Sequence, residues 1–154
     1  MGETFDSTSA ITTTPAFFGL YSTQYTVTYH RTSANSGSNA PVDSLSPYFP
    51  DEIVTILDTD LSRTGYRFVG WNKTSSSGTT VDYIFGDDFV MPASNVNLYP
   101  VWARTYTVAY SSTGSTGGTA PVDSSSPYLP GETVTVLDNI DLVRTNYVFA
   151  GWNT

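Results

Sequence analysis

Apolar and polar residues alternate in short stretches along this chain. Tyr25, Val27 and Tyr29 alternate with Thr26 and Thr28, Val54 and Ile56 flank Thr55, and Tyr66, Phe68 and Gly70 alternate ahead of Trp71. A period of two puts every second side chain on one face, so each stretch predicts a strand with one buried face. Leu98, Tyr99, Val101 and Trp102 predict a further strand. Between these runs, Pro41, Pro47, Pro50, Pro92, Pro100 and the Ser/Gly-rich residues 33–39 mark turns and loops. The apolar share is weighted toward Tyr, Phe, Val and Trp, with Thr and Ser filling much of the rest, a mixture that suits pleated, half-buried strands. The expected fold class is all-β, or β-rich α+β, with little or no helix and four or five strands per unit.

The pattern occurs twice. Tyr25-Thr26-Val27-Thr28-Tyr29 returns as Tyr106-Thr107-Val108-Ala109-Tyr110, Ala40-Pro41-Val42-Asp43-Ser44 as Ala120-Pro121-Val122-Asp123-Ser124, and Ser46-Pro47-Tyr48 as Ser126-Pro127-Tyr128. Val54-Thr55-Ile56-Leu57-Asp58 returns as Val134-Thr135-Val136-Leu137-Asp138. Arg63-Thr64-Gly65-Tyr66-Arg67-Phe68-Val69-Gly70-Trp71-Asn72 returns as Arg144-Thr145-Asn146-Tyr147-Val148-Phe149-Ala150-Gly151-Trp152-Asn153. The offset is 81 at Tyr25, 80 at Ala40 and 81 again at Arg63. Both slips fall in expected loops, where loop-closure entropy changes little with length. A fainter echo links Gly86-Asp87-Asp88-Phe89 and Leu98-Tyr99 to Gly2-Glu3-Thr4-Phe5 and Leu20-Tyr21. The expected organisation is therefore the diverged end of one repeat over 1–24, a complete repeat over 25–105, and the first part of another over 106–154.

Arg63-Thr64-Gly65-Tyr66-x-Phe68-x-Gly70-Trp71-Asn72, then Gly86-Asp87-Asp88-Phe89-x-Met91-Pro92-Ala93-Ser94, then Leu98-Tyr99-x-Val101-Trp102 resembles the Listeria-Bacteroides repeat, the internalin B-repeat type. The resemblance spans 25–105, and its first half recurs over 106–154. It implies small β-grasp-like units strung in arrays on secreted surface proteins, between a recognition domain and a cell-wall or membrane anchor. It brings no catalytic residue with it. Two positions depart from the pattern: Pro100 stands where a small residue is usual, and Gly-Gly is absent from residues 33–39 although Gly117-Gly118 is present in the second copy.

Composition changes this picture mainly by exclusion. The formal net charge is −8, with 14 acidic and 6 basic residues, and Lys73 is the single lysine, so no basic patch is available for nucleic acid or anionic lipid. The chain has no cysteine, which removes disulfides and thiolate chemistry. No apolar run is long enough for a signal h-region or a membrane span, so a signal and anchor, if the protein is secreted, are expected outside this chain. His30 is the single histidine, and its counterpart is Ser111, so a catalytic triad has nothing to draw on and no cofactor is expected.

Other residues invite chemistry and have plainer readings. Asp58 and Asp60, matched by Asp138 and Asp141, are calcium candidates, but turn acids account for them. Lys73 invites an isopeptide and Asn72-Lys73-Thr74 is a glycosylation sequon. A small unit has to spend its large side chains on its own interior. The expected structural core is thus Tyr66, Phe68, Gly70, Trp71 and Trp102, with Tyr147, Phe149, Gly151 and Trp152 in the second copy. Tyr48 and Tyr128, each in Ser-Pro-Tyr, are expected to be exposed and are the candidate contact surface.

These readings lead to a non-enzymatic, extracellular stalk or adhesion spacer. Its expected partners are neighbouring repeats or copies of the same chain, and host or matrix protein or polysaccharide. Two alternatives stand beside it: a filament subunit completed by strand addition between chains, and a carbohydrate-binding module using the aromatic residues.

Overall fold

The computed structural model describes residues 19–34 and 39–154. The assignment of 1–24 to an earlier repeat therefore falls mostly outside the described residues, as do residues 35–38 of the expected loop. All named elements are strands: β1 Val27–Tyr29, β2 Ile53–Thr55, β3 Tyr66–Asn72, β4 Asp88–Val90 and β5 Val96–Arg104. The fold is all-β, with no helix among the described residues.

Two small sheets form the first unit. One has the order β1-β5-β3, with β1 parallel and β3 antiparallel to the central β5; the other is the antiparallel pair β2-β4. The parallel pairing of β1 and β5 joins strands from opposite ends of the repeat, Val27 opposite Val96 and Tyr29 opposite Leu98. The unit consequently closes only when its last strand is in place.

The alternation read in the sequence is the burial pattern. Val27 and Tyr29 face inward while Thr28 is exposed, and Val54 and Ile56 are buried around an exposed Thr55. Trp71, at 0% exposure, lies at the centre of a cluster with Val27, Tyr29, Tyr48, Val54, Ile56, Leu61, Met91 and Leu98. Tyr29 and Phe68 both meet Trp71 edge to face, at ring-centroid separations of 4.9 and 5.1 Å. That arrangement suits the ring quadrupoles.

The strict period of two fails in β3 and again at Pro100-Val101 of β5. Phe68 pairs with Trp102 and Gly70 with Val101, so Val69 is an extra residue, a bulge. The bulge turns both Phe68 and Trp71 toward the interior, which an unbroken strand would place on opposite faces. At Gly70, with φ of +145°, the chain passes directly beneath residues 81–84, and Trp71 exchanges backbone hydrogen bonds with Tyr83. A positive φ and a close backbone approach are both permitted by glycine.

The second unit repeats part of the first one's contacts without forming a named strand. Tyr106 pairs with Tyr128 as Tyr25 pairs with Tyr48, and Arg144 pairs with Tyr147 as Arg63 pairs with Tyr66. Tyr110 and Phe149 meet Trp152 edge to face at 4.9 and 5.0 Å. Residues 106–154 match the part of the first unit that precedes β4 and β5. Tyr147 is 64% and Phe149 42% exposed, and Trp152 is half-buried. Among their counterparts Gly70 and Trp71 are buried, Phe68 and Trp102 pack half-buried against the core, and Tyr66 is half-buried outside that cluster, so the expected core residues of the two copies differ in exposure. A cavity of about 740 Å³ is lined by Ser111, Val143, Tyr147, Phe149 and Trp152 among others.

Candidate functional site: the joint between repeat units

Asp43 and Tyr48 are five residues apart in a turn bent back on β1. Tyr25 and Tyr48 exchange backbone hydrogen bonds at 2.8 and 2.9 Å, drawing the Tyr48 ring inward, and its hydroxyl donates to Asp43 Oδ2 at 2.7 Å. Asp43 Oδ1 accepts from the Leu45 amide. Tyr48 is 7% exposed, so the expectation of an exposed contact residue is corrected. Its position between prolines suggested exposure, but the bridge to Tyr25 decides the direction of the ring. Burial, and then the hydrogen bond to Asp43, hold the Tyr48 phenol well above the ordinary tyrosine range. Tyr128 makes the same bond to Asp123 at 2.7 Å and is half-buried.

The same turn carries a second repeated device. Glu52 Oε2 accepts from the Phe49 amide and Glu132 Oε2 accepts from the Leu129 amide, each at 2.7 Å. Each glutamate is thus positioned by its own turn through Oε2. In the second unit Oε1 is taken. Arg67 Nη1 donates to Glu132 Oε1 at 2.7 Å, and Arg67 Nη2 donates to the Pro127 carbonyl at 2.8 Å. Among the described residues this is the salt bridge of the molecule, and it joins the two repeats. The Leu129 amide first, and the Arg67 guanidinium second, hold the Glu132 carboxyl below its usual range.

The covalent connection is short. β5 ends at Arg104, and Tyr106 already belongs to the next unit through its bridge to Tyr128. Thr105 alone lies between them, and its amide donates to the Gly65 carbonyl at 2.9 Å. Arg104 lies over the Tyr106 ring, with its guanidinium carbon 5.4 Å from the centroid.

The remaining candidates have structural employment. Asp58 accepts from the Thr59 amide, and Asp141 accepts from the Thr119 amide and hydroxyl. Among the described residues no three acidic or histidine side chains converge on one point, Asp60 and Asp138 included. Asn72 is 3% exposed; its Oδ1 accepts from Thr74 and Ser75 and its Nδ2 donates to the Thr80 carbonyl, so the sequon asparagine is not presented for glycosylation. Lys73 is exposed, with its ammonium 5.7 Å from the Tyr83 ring centroid. Trp102 is half-buried and donates to the Thr32 carbonyl at 3.1 Å. His30 stacks on Tyr99 at 4.3 Å and contacts Asn97 Oδ1 at 2.9 Å. No helix among the described residues is long and apolar enough to cross a membrane.

Sequence reasoning missed Arg67, Asp43 and Glu132. Asp43 and Glu132 had a signal, since Asp-x4-Tyr-x3-Glu recurs intact in both copies. Arg67 had none, because its counterpart is Val148.

An all-β unit that is repeated in tandem, built on an aromatic core and joined to its neighbour by backbone and side-chain bonds, defines a class of structural repeat modules. The chain belongs to the Listeria-Bacteroides repeat domain family, whose model matches residues 25–101 and 106–154. This is a family of repeat domains of surface proteins. The chain is also 34% identical over 136 residues to a protein of Evansella cellulosilytica whose name describes a Gly-rich membrane protein. That match covers 84% of this chain and 15% of the relative, so the chain spans a small part of the relative's length. No solved structure matches the chain.

Proposed function

We propose that the chain is a non-catalytic structural module of an extracellular surface protein, acting as a segment of stalk that holds other parts of that protein away from the cell envelope. One observation carries this reading: the same contacts are rebuilt 80 or 81 residues further along the chain. Tyr29 meets Trp71 and Tyr110 meets Trp152 at the same 4.9 Å, and Tyr48 bonds Asp43 as Tyr128 bonds Asp123. Side chains that a binding site would present are instead committed to folding each unit, and length grows by addition of units. Membership of a surface-protein repeat family and similarity to a Gly-rich membrane protein support the location.

The test is length against copy number. Arrays with increasing numbers of copies of residues 25–105, examined by small-angle scattering, are expected to lengthen by a constant increment while each unit keeps its melting temperature. Collapse into a compact particle, or saturable binding of the isolated chain to a polysaccharide or matrix protein, would refute a purely spacing role.

A further inference from the structure

We propose that the turn carrying Pro127 and Glu132 is a docking surface for the guanidinium of the preceding repeat, and that Arg67 seated on it locks two consecutive units at one fixed angle. This goes beyond the spacer reading, because a flexible string of units would also act as a spacer.

Three observations converge. The two acceptors are built by the second unit itself. Glu132 is oriented by the Leu129 amide through Oε2, and its Oε1 accepts from Arg67. The first unit has the same turn, with Glu52 held by the Phe49 amide, and among the described residues no salt bridge reaches it. The bond that orients the glutamate therefore forms without an arginine. In the first unit the carbonyl of Pro47, equivalent to that of Pro127, accepts from Gln24 Nε2 at 3.3 Å, a donor that likewise precedes the unit in the chain.

Arg67 suits this surface. It projects from β3 as an exposed residue between Tyr66 and the half-buried Phe68, so its backbone is anchored in the β1-β5-β3 sheet. Its planar fork reaches a carboxylate and a carbonyl at once, which fixes direction as well as distance. The third observation is the connection: Thr105 is bonded to Gly65, and Tyr106 is bonded to Tyr128, so the covalent link has little freedom of its own. The link and the arginine hold the joint at two separate points, and two points of attachment resist rotation where one would permit it.

Absence of cysteine makes the test direct. Spin labels on Ser76→Cys and Thr113→Cys, one on each unit, report the distance distribution between units by pulsed electron resonance on the full chain. The expected result is a single narrow peak. Arg67→Ala and Glu132→Gln are each expected to abolish that narrow peak in favour of a broad distribution, with the melting temperature nearly unchanged. Glu52→Gln makes the same local change in the first unit and should leave the distribution narrow. Arg67→Lys keeps the charge but lacks the fork and should give an intermediate width. A broad distribution in the unsubstituted chain, an unaltered peak in Arg67→Ala, or equal broadening by Glu52→Gln would overturn the proposal.

Discussion

A Cβ placed on Gly70 would lie 2.5 Å from the carbonyl oxygen of Tyr83 and 2.5 Å from Val81 Cγ1. Gly151, its counterpart, has nearly the same φ, +141° against +145°, but nothing lies within 4 Å of its missing Cβ. The two positions therefore separate the backbone requirement for glycine from the steric one.

Gly151→Ala should reveal the backbone cost, about 1–3 kcal/mol for a residue held in a sparsely populated region. Gly70→Ala adds the clash with residues 81–84, about a further 1–3 kcal/mol for overpacking against atoms that include main chain. Urea unfolding of the two variants, with hydrogen exchange assigning the loss to a unit, checks the order. Equal losses would show that the wall formed by residues 81–84 yields freely.

Tyr48→Phe removes the hydroxyl that donates to Asp43, a residue 9% exposed, and leaves a nearly buried carboxylate without that donor. Hydrogen bonds to charged groups are worth about 1.5–3 kcal/mol, and a loss in that range is expected. Tyr128→Phe should cost less, because the equivalent ring is only half-buried. Thermal and urea melts of both variants decide.

The Tyr48 phenol also makes the fold sensitive to alkali. Its pKa is raised on folding, so its contribution to stability is complete below the unfolded tyrosine value of about 10 and is lost as pH rises above it. Stability measured from neutrality upward should begin to fall near that point, and the fall should be shallower in Tyr48→Phe.

Glu132 titrates in the opposite sense. Its carboxyl is held below the ordinary value of 4.5 by the Leu129 amide first and by Arg67 second, so the stabilisation is present above that value and lost as pH falls through the lowered one. Arg67→Ala should raise the pKa of Glu132, followed by carbon-detected NMR, only part of the way to 4.5, since the amide remains. Complete restoration would show that the arginine, not the turn, is the principal cause.

Asp51 adopts a φ of +68° where the second copy has Gly131 at +85°. A side chain in the left-handed region costs about 1–2 kcal/mol, partly offset in glycine by the larger entropy of its unfolded chain. Asp51→Gly is accordingly expected to stabilise the first unit by about 0.5–1 kcal/mol, measured as a rise in melting temperature. A fall would mean that the aspartate side chain supports the turn.

Strand identity was legible in the alternation at Tyr25, Val27 and Tyr29 and at Val54 and Ile56, because inside and outside residues differ in polarity. The all-β class and the repeat family were legible for the same reason, reinforced by duplication. The pairing of β1 with β5 was not, since parallel strands about 70 residues apart leave no local signature. Nor was the bulge at Val69, which only the partner strand reveals. The burial of Tyr48 was misread because flanking prolines signal a turn but do not say which way the turn folds.

The sequence by itself determined the periodic features of this protein: the stretches that become strands in the first unit, and that Trp71 and Trp152 hold equivalent places. Those features are local or repeated, so they can be read from spacing. Tertiary structure alone decided what each copy does with them. Trp71 is fully buried in a cluster with Tyr29, Ile56, Met91 and Leu98 among others, Trp152 is half-buried, and Arg67 reaches Glu132 because a one-residue link brings the two units into range. Contacts of that kind depend on which surfaces come to face each other, and no pattern within a single strand records it.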